Sequence, residues 1–153
     1  MFEPYAEGDE AAWLASFSFS VEVRPRYYEC DAQGHVSNVV YPAYLELSRL
    51  RYFAAVNDPE ASASFAFRHV TAEIELRYIA ACYYDEALTV ASKLTSIGRS
   101  SAVMEQAITG DGTLRAVARM TVVRANPVGD GSAPWTEAQR AALGRFARIA
   151  PDA

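Results

Sequence analysis

Residues 39–56 read VVYPAYLELSRLRYFAAV. The mostly apolar side chains recur at spacings of three and four residues, which places them on one face of a helix. The members of that face are Tyr41, Tyr44, Leu45, Ser48, Tyr52, Ala55 and Val56. Leu47, Leu50 and Ala54 broaden the apolar surface beyond this face. We therefore expect a long helix that other elements wrap.

The two ends of this helix carry start and stop signals. Ser37 or Asn38 can cap its N-terminus, because both side chains accept hydrogen bonds from free N–H groups of a first helical turn. Pro42 suits the first turn, where its missing N–H removes no helical hydrogen bond. The sequence Asn57-Asp58-Pro59 ends the helix, and irregular structure is predicted from there to position 67.

Alternation of apolar and polar residues on both sides of the helix predicts strands. The alternating segments are 17–24, 70–78, 88–94 and 114–124. Ile97-Gly98 marks a turn, and Gly110-Asp111-Gly112 is a strong hairpin signal. Pro25 follows the first strand and indicates that this strand lies at a sheet edge or ends in a bulge.

The two turns leave one further strand between them, so the predicted order is one strand, one long helix and four more strands, which end in an antiparallel meander. A long apolar helix against an antiparallel sheet gives an α+β domain in which the sheet curls around the helix. We assign residues 17–126 to this domain and residues 1–16 to an N-terminal extension with one short helical turn. Residues 127–153 form a C-terminal extension, whose short helix runs from its cap, Thr136, to about Arg148.

The sheet face turned away from the helix is expected to carry small and apolar side chains. Its predicted members are Ala91, Ala102, Ala116 and Ala118. Contact between two copies, through an edge or a face of the sheet, would bury them. This pattern favours a homo-oligomer without specifying its size.

The composition disfavours several classes of function. The 153 residues carry a net charge of −5, so no nucleic-acid partner is expected, although a few Arg can still hold one small phosphate ligand. Cys30, Cys82 and the two histidines lack metal-ligand spacing, and we expect neither a metal nor a cofactor. Reduced thiols are favoured over a single disulfide. No secretory signal or membrane-spanning apolar run is visible, which favours a cytoplasmic location.

Residues 26–38, between the first strand and the helix, read RYYECDAQGHVSN. Free N–H groups of the first helical turn, at the positive end of the helix dipole, can stabilise an oxyanion. Asp31 is close enough in sequence to attack a carbonyl bound there, or to activate a water beside it. Gly34 allows the backbone to turn tightly near a ligand. Spacing alone leaves an alternative open, since an ordinary turn with a helix cap uses the same residue types.

Residues 23–38 resemble the signature of the 4-hydroxybenzoyl-CoA thioesterase-like hotdog family. That signature has an Arg-Tyr pair, an acid two residues before an Asp, then Gly-His-Val and an Asn. Further matches are Tyr41, Tyr44, Glu46 and Arg49 on the helix, Arg77-Tyr78 with residues 81–86, and residues 97–101. The resemblance spans about residues 17–125. Cys30 stands where a threonine is common and Ser37 where an asparagine is common, and neither change removes the carboxylate or the glycine.

The resemblance implies a hotdog fold, in which a five-stranded antiparallel sheet wraps a long helix, and an activity of thioester hydrolysis. It also implies obligate dimers, often paired into tetramers. In the family, the Asp at the position of Asp31 is the catalytic carboxylate, and the backbone N–H near Asn38 polarises the thioester carbonyl. Family members differ in whether this Asp acts as nucleophile or as general base for water, so both roles stay open.

The candidate substrate-binding residues are Gly34, His35, Tyr41, Tyr44, Glu46 and Arg99. His35 either orients the substrate or is a structural histidine with satisfied hydrogen bonds. Glu46 is either a second active-site acid or an ion-pair partner of Arg49. Arg99 is either a partner for a CoA phosphate or a solvated charge. The two tyrosines belong to the core first and to an acyl pocket second. Cys30 is interpreted as a packing residue, because the adjacent carboxylate disfavours a thiolate.

We expect a thioesterase that acts on a small or medium acyl-CoA, as a homodimer or a dimer of dimers. The main alternative is a non-catalytic module that binds acyl-CoA or an acyl-carrier protein, although pure binding does not require the Asp31 carboxylate. An acyl-carrier protein is also an alternative substrate, since it shares the pantetheine arm of CoA. A hotdog dehydratase is disfavoured, because such enzymes usually pair a His with an acid in a different motif.

Overall fold

The computed structural model of the chain describes residues 2–5, 8–56 and 68–152. The elements in chain order are α1 (Glu10–Ala15), β1 (Phe19–Val23), α2 (Tyr41–Ala55), β2 (His69–Tyr78), β3 (Leu88–Ile97), β4 (Ser101–Gly110), β5 (Thr113–Arg124) and α3 (Glu137–Ala147). A short 3-10 turn, Tyr27–Glu29, follows β1. The predicted α+β architecture is confirmed, because one five-stranded antiparallel sheet packs against a long helix in the manner of a hotdog fold.

The sheet has the strand order β1-β3-β4-β5-β2, and every neighbouring pair is antiparallel. β2 pairs with β5 and not with β3, so only β3, β4 and β5 form the predicted meander. β1 is an edge strand, as Pro25 indicated, and β2 is the other edge. The hairpin between β4 and β5 turns at Asp111 and Gly112, which have positive φ values of 49° and 69°. Residues of these types tolerate this left-handed backbone better than others.

One face of the sheet packs against α2 and forms the main core. The buried side chains of α2 are Tyr41, Tyr44, Leu45, Ser48, Arg49, Tyr52 and Phe53. The predicted apolar face is therefore largely confirmed, with Arg49 as an unexpected member. Leu47 and Leu50 are exposed, which corrects the expectation that other elements wrap the whole helix. The sheet covers only the side of α2 that faces it.

The start of α2 also differs from the prediction. Val40 occupies the N-cap position and makes no side-chain cap, whereas Pro42 lies in the first turn as predicted. Ser37 contributes through its backbone, because its carbonyl accepts the N–H of Val40 at 2.9 Å. Ser37 and Asn38 therefore form a turn ahead of the helix and do not cap it. The predicted helix end and irregular stretch at residues 57–67 lie outside the described residues.

The outer face of the sheet is covered by the N-terminal segment of the same chain. Phe2 and Trp13 form a second buried cluster with Ala107, Leu114 and Val117. The indole N–H of Trp13 also donates to Oε2 of Glu105 on β4 at 2.8 Å. The short helical turn predicted within residues 1–16 is α1, and its function in the fold is to cover this face.

Three of the four alanines predicted on the outer face lie on the inner one. Ala102, Ala116 and Ala118 are buried in the main core against α2. The prediction failed because both faces of β4 and β5 are apolar, and alternation alone cannot tell which face meets the helix. Ala91 alternates with the inward-facing Val90 and lines a groove on the outer side.

A buried polar cluster fixes α2 over β3 and β4. The side-chain N–H of Gln106 donates to the carbonyl of Leu45 at 2.9 Å and to the hydroxyl of Ser92 at 2.8 Å. The hydroxyls of Ser48 and Ser92 lie 2.7 Å apart. Because unpaired polar groups are costly in a core, this set of bonds favours one register of the helix on the sheet.

The C-terminal helix α3 begins as predicted. The Thr136 hydroxyl accepts the N–H of Gln139 at 3.1 Å, which makes it the cap. Phe146 of α3 packs against Tyr52 of α2, with ring centroids 4.9 Å apart. Each helix in the described part of the chain is too short or too polar to cross a membrane.

Candidate active site

The loop before α2 turns tightly around Asp31. The Asp31 N–H donates to the carbonyl of His35 at 2.9 Å, and the Gly34 N–H donates to the carbonyl of Asp31 at 3.0 Å. The Gln33 N–H donates to Oδ1 of Asp31 at 2.8 Å, so the carboxylate is held by its own loop. Gly34 has a φ of 86°, a conformation that a side chain disfavours. The sequence folds into this turn because Asp and Gly occupy the positions that need them.

Backbone hydrogen bonds fasten the loop to the connection between β2 and β3. The Val36 N–H donates to the carbonyl of Cys82 at 2.8 Å, and an isolated antiparallel bridge joins His35 to Tyr83. The Ser37 N–H donates to the carbonyl of Glu29 at 2.9 Å. The loop is therefore held from both sides, which fixes the backbone that carries Asp31.

An ion pair stabilises the connection between β2 and β3. The guanidinium of Arg115 on β5 pairs with the Glu86 carboxylate, and both side chains are largely buried. A second Arg115 N–H donates to the carbonyl of Ala81 at 2.9 Å. The other Glu86 oxygen accepts the Tyr83 N–H at 3.0 Å. The resemblance included residues 81–86, but nothing in the sequence indicated Arg115 as their partner.

Tyr44 joins α2 to the 3-10 turn that precedes Asp31. Its hydroxyl donates to Oε2 of Glu29 at 2.8 Å, and the same oxygen accepts the N–H of Arg26 at 2.7 Å. Tyr44 is only 6% exposed. Burial, and then the adjacent Glu29 carboxylate, raise the pKa of its hydroxyl above the usual value. Tyr44 therefore lies behind the loop, where it positions backbone, and does not line the cleft described next.

A surface cleft of about 320 Å³ opens beside the loop. Its lining residues are Asp31, His35, Val36, Asn38, Tyr41, Tyr78, Ile79, Ala80 and Ala81. Four predicted site residues, Asp31, His35, Asn38 and Tyr41, thus meet at one place. Tyr78 belongs to the same wall, although the sequence pattern indicated no role for it beyond the family match.

The Asp31 carboxylate is accessible and partly engaged. Its Oδ2 lies 3.6 Å from Nδ1 of His35, and the Asp31 side chain is 36% exposed. Oδ1 accepts the backbone N–H of Gln33. Such a carboxylate can either attack an electrophilic carbon or remove a proton from a water.

Asn38, in the turn ahead of α2, lines the same cleft and carries a backbone hydrogen-bond donor. The N–H of Asn38 donates to no other group among the described residues, whereas its carbonyl accepts the hydroxyl of Tyr78 at 2.9 Å. A free N–H at the positive end of a helix can stabilise a negative oxygen.

Four predicted site residues lie outside this cleft: Gly34 and Tyr44 belong to the loop and its support, and Glu46 and Arg99 lie elsewhere. Glu46 is exposed on α2 and pairs with Nη2 of Arg49 at 3.1 Å. Arg99 lies in the turn between β3 and β4, whereas the loop contacts Tyr83 ahead of β3. Since β3 has ten residues, roughly 30 Å of strand separate Arg99 from the cleft in the same chain.

The two cysteines are not part of the cleft. Neither Cys30 nor Cys82 forms a disulfide, and neither lines the cleft. Burial raises the pKa of the Cys82 thiol, which disfavours a reactive thiolate. No group of three His, Cys, Asp or Glu side chains within the described ranges is arranged to share a metal ion.

The chain is similar to known thioesterases in sequence and structure. The sequence model of the thioesterase-like superfamily matches residues 25–143, most of the chain. No curated protein matches the sequence. A thioesterase of Thermus thermophilus, solved in complex with coenzyme A and zinc, is 28% identical, with a TM-score of 0.78 over 87% of this chain and 96% of that one.

Two further solved structures support the assignment. A thioesterase-superfamily protein of Jannaschia is 26% identical, with a TM-score of 0.77 over 99% of this chain and 100% of that one. The DHNA-CoA thioesterase of Staphylococcus aureus is 17% identical, with a TM-score of 0.73 over 83% and 89% of the two chains, and shows the same fold. The chain therefore belongs to the thioesterase-like superfamily and is a thioester hydrolase.

Proposed function

We propose that the chain hydrolyses acyl-CoA thioesters and that Asp31 is its catalytic carboxylate. The observation that carries the proposal is the cleft itself, which is lined by both Asp31 and Asn38. A carboxylate and an oxyanion donor on one small site are what ester-type hydrolysis requires. A volume of about 320 Å³ suits a short or medium acyl group.

In the proposed reaction, the thioester carbonyl oxygen accepts the N–H of Asn38. Asp31 either attacks the carbonyl carbon, which forms an anhydride that water then hydrolyses, or removes a proton from a water that attacks directly. In both routes the carbon–sulfur bond breaks, water supplies the new carboxyl oxygen, and the CoA sulfur leaves as the thiol. The proposed reaction uses no cofactor, since coenzyme A is part of the substrate.

The remaining candidates have different proposed roles. His35 and Tyr41 line the cleft and would contact the substrate, whereas Gly34 and Tyr44 shape the loop that carries Asp31. Arg99 is too distant to meet the CoA phosphates in its own subunit and would do so only across a subunit interface. A cytoplasmic location is proposed from the intracellular nature of acyl-CoA substrates and the unpaired state of both cysteines.

The proposed assembly is a homodimer formed through β2. This strand is an edge of the described sheet, and its side chains Val70, Ile74 and Tyr78 are exposed. Addition of a second β2 would satisfy the free backbone groups of both copies. The outer sheet face is already covered by the N-terminal segment. Light scattering should give twice the mass of the chain for the wild type and the mass of one chain for Ile74→Lys, and a monomeric wild type would contradict the dimer.

The activity is tested by thiol release from a panel of aliphatic and aromatic acyl-CoA esters. We expect release by the wild type and by Asp85→Asn, but not by Asp31→Asn. Asp85 is a matched control because it is exposed, near the loop, and at a positive φ of 58° that asparagine tolerates. Tight binding of CoA esters without release would support the binding module, and release from acylated carrier protein alone would identify that substrate instead.

A further inference from the structure

The backbone around the free N–H of Asn38 is held on both sides. The peptide between Ser37 and Asn38 contains this N–H, and its carbonyl accepts the N–H of Val40 at 2.9 Å. The next peptide contains the Asn38 carbonyl, which accepts the Tyr78 hydroxyl at 2.9 Å. Because peptide groups are planar and these two share the Asn38 Cα, a hydrogen bond to each carbonyl restricts how the peptide with the Asn38 N–H can rotate. Among the described residues, Tyr78 supplies the one side-chain hydrogen bond to this stretch.

We propose that Tyr78 is a positioning residue that orients the Asn38 N–H toward the thioester carbonyl. The inference rests on the proposed function, and it assigns to β2 a part in the active site that the loop motif does not include. A carbonyl oxygen can only accept, so the Tyr78 hydroxyl donates its proton to Asn38. That proton is therefore engaged in holding the backbone, and Tyr78 acts through Asn38 without touching the reacting atoms.

The ring of Tyr78 is itself fixed by its neighbours. It packs edge-on against Tyr41, with ring centroids 5.0 Å apart and an interplanar angle of 84°. The Tyr41 hydroxyl accepts the N–H of Cys82 at 3.2 Å, and Tyr41 is buried on α2. The backbone of Tyr78 pairs with Ala116 at the end of β2. The Tyr78 hydroxyl is thus held at the Asn38 carbonyl by an edge-to-face ring contact and by the sheet.

The first test is the kinetics of Tyr78→Phe, which removes the hydroxyl and keeps the ring against Tyr41. When an oxyanion donor is poorly oriented, its hydrogen bond to the substrate oxygen is weakened more in the transition state than in the bound substrate. We expect kcat to fall about three- to tenfold, the range for one neutral hydrogen bond, with KM unchanged within about twofold. The matched control is Tyr84→Phe, since Tyr84 is 60% exposed and its hydroxyl makes no hydrogen bond to the described residues. Unchanged kcat in Tyr78→Phe would overturn the proposal.

The second test separates positioning from a general loss of structure. Two stable CoA analogues are compared, a ketone that keeps the carbonyl oxygen and a thioether that lacks it. Tyr78→Phe should weaken binding of the ketone about three- to tenfold and leave binding of the thioether unchanged. Equal weakening of both analogues would overturn the proposal, because a damaged cleft does not distinguish them.

The two tests also separate this inference from the proposed function. If the wild type releases no thiol from any ester, the hydrolase proposal fails, yet the analogue pair still reports whether Tyr78 positions a carbonyl-binding N–H. If the wild type hydrolyses acyl-CoA and Asp31→Asn does not, but Tyr78→Phe matches Tyr84→Phe in every readout, only the inference about Tyr78 fails.

Discussion

Replacing Tyr44 with phenylalanine removes the hydroxyl that ties α2 to the turn ahead of Asp31. The lost bond joins the Tyr44 hydroxyl to Oε2 of Glu29 at 2.8 Å. Hydrogen bonds to charged groups contribute about 1.5–3 kcal/mol net. Glu29 is partly exposed and keeps the Arg26 N–H, so we expect the lower end, about 1.5 kcal/mol. For a chain of this size, that loss lowers the melting temperature by about 3–6 °C.

A double-mutant cycle isolates this bond from other effects of the substitution. The assay is thermal unfolding of the wild type, Tyr44→Phe, Glu29→Ala and the double variant. In the Glu29→Ala background, Tyr44→Phe should leave the melting temperature unchanged or raise it, because a buried hydroxyl without an acceptor is unfavourable. Tyr27→Phe, at an exposed position, is the control and should leave the melting temperature unchanged. A shift of less than about 1 °C in the wild-type background, or the same shift in both backgrounds, would refute the reasoning.

Three further predictions concern the parts of the fold that surround the site. Trp13→Ala should lower the free energy of unfolding in urea by about 3 kcal/mol, because a buried indole and its hydrogen bond to Glu105 are lost. A decrease below about 1 kcal/mol would show that α1 does not contribute to the stability of the domain. Alkylation of the native protein should modify Cys30 well before Cys82, because burial raises the pKa of the Cys82 thiol. Both cysteines should be labelled after denaturation, and equal rates in the native protein would contradict the prediction. Burial raises the pKa of Tyr52 to about 12, so the native state holds this proton more tightly than the unfolded chain and stability falls as pH rises above about 10. The difference in tyrosinate absorbance between the wild type and Tyr52→Phe should show Tyr52 ionising near pH 12 or with unfolding, and its ionisation near pH 10 in the native state would be inconsistent with this burial.

The parts of the fold with a local pattern could be predicted from the sequence. Spacing within residues 39–56 is sufficient to place the apolar side of α2, because helical periodicity is local. For the same reason, Gly110-Asp111-Gly112 predicts its hairpin turn and Thr136 predicts its helix cap. The turn around Asp31 is also local, so the spacing of Asp31, His35 and Asn38 along the chain is sufficient to group them at one site.

Long-range contacts could not be predicted in this way. Gln106 reaches Leu45 across 61 positions, and Trp13 reaches Glu105 across 92, with no periodicity to link them. The inward direction of Ala116 depends on how β5 pairs with β2 and β4, which alternation leaves undetermined. Tyr78 enters the site for the same reason, since only the strand order brings the end of β2 beside the start of α2.

The measurement that tests the central claim most directly is kcat for Asp31→Asn at saturating acyl-CoA, with thioether-analogue binding measured on the same preparation. Loss of a nucleophile or general base should lower kcat by at least about a hundredfold. Affinity for the thioether should stay within about twofold, because the amide fills the same space and the loop bonds around it remain. A kcat close to that of the wild type, with binding intact, would contradict the assignment of Asp31 as the catalytic carboxylate.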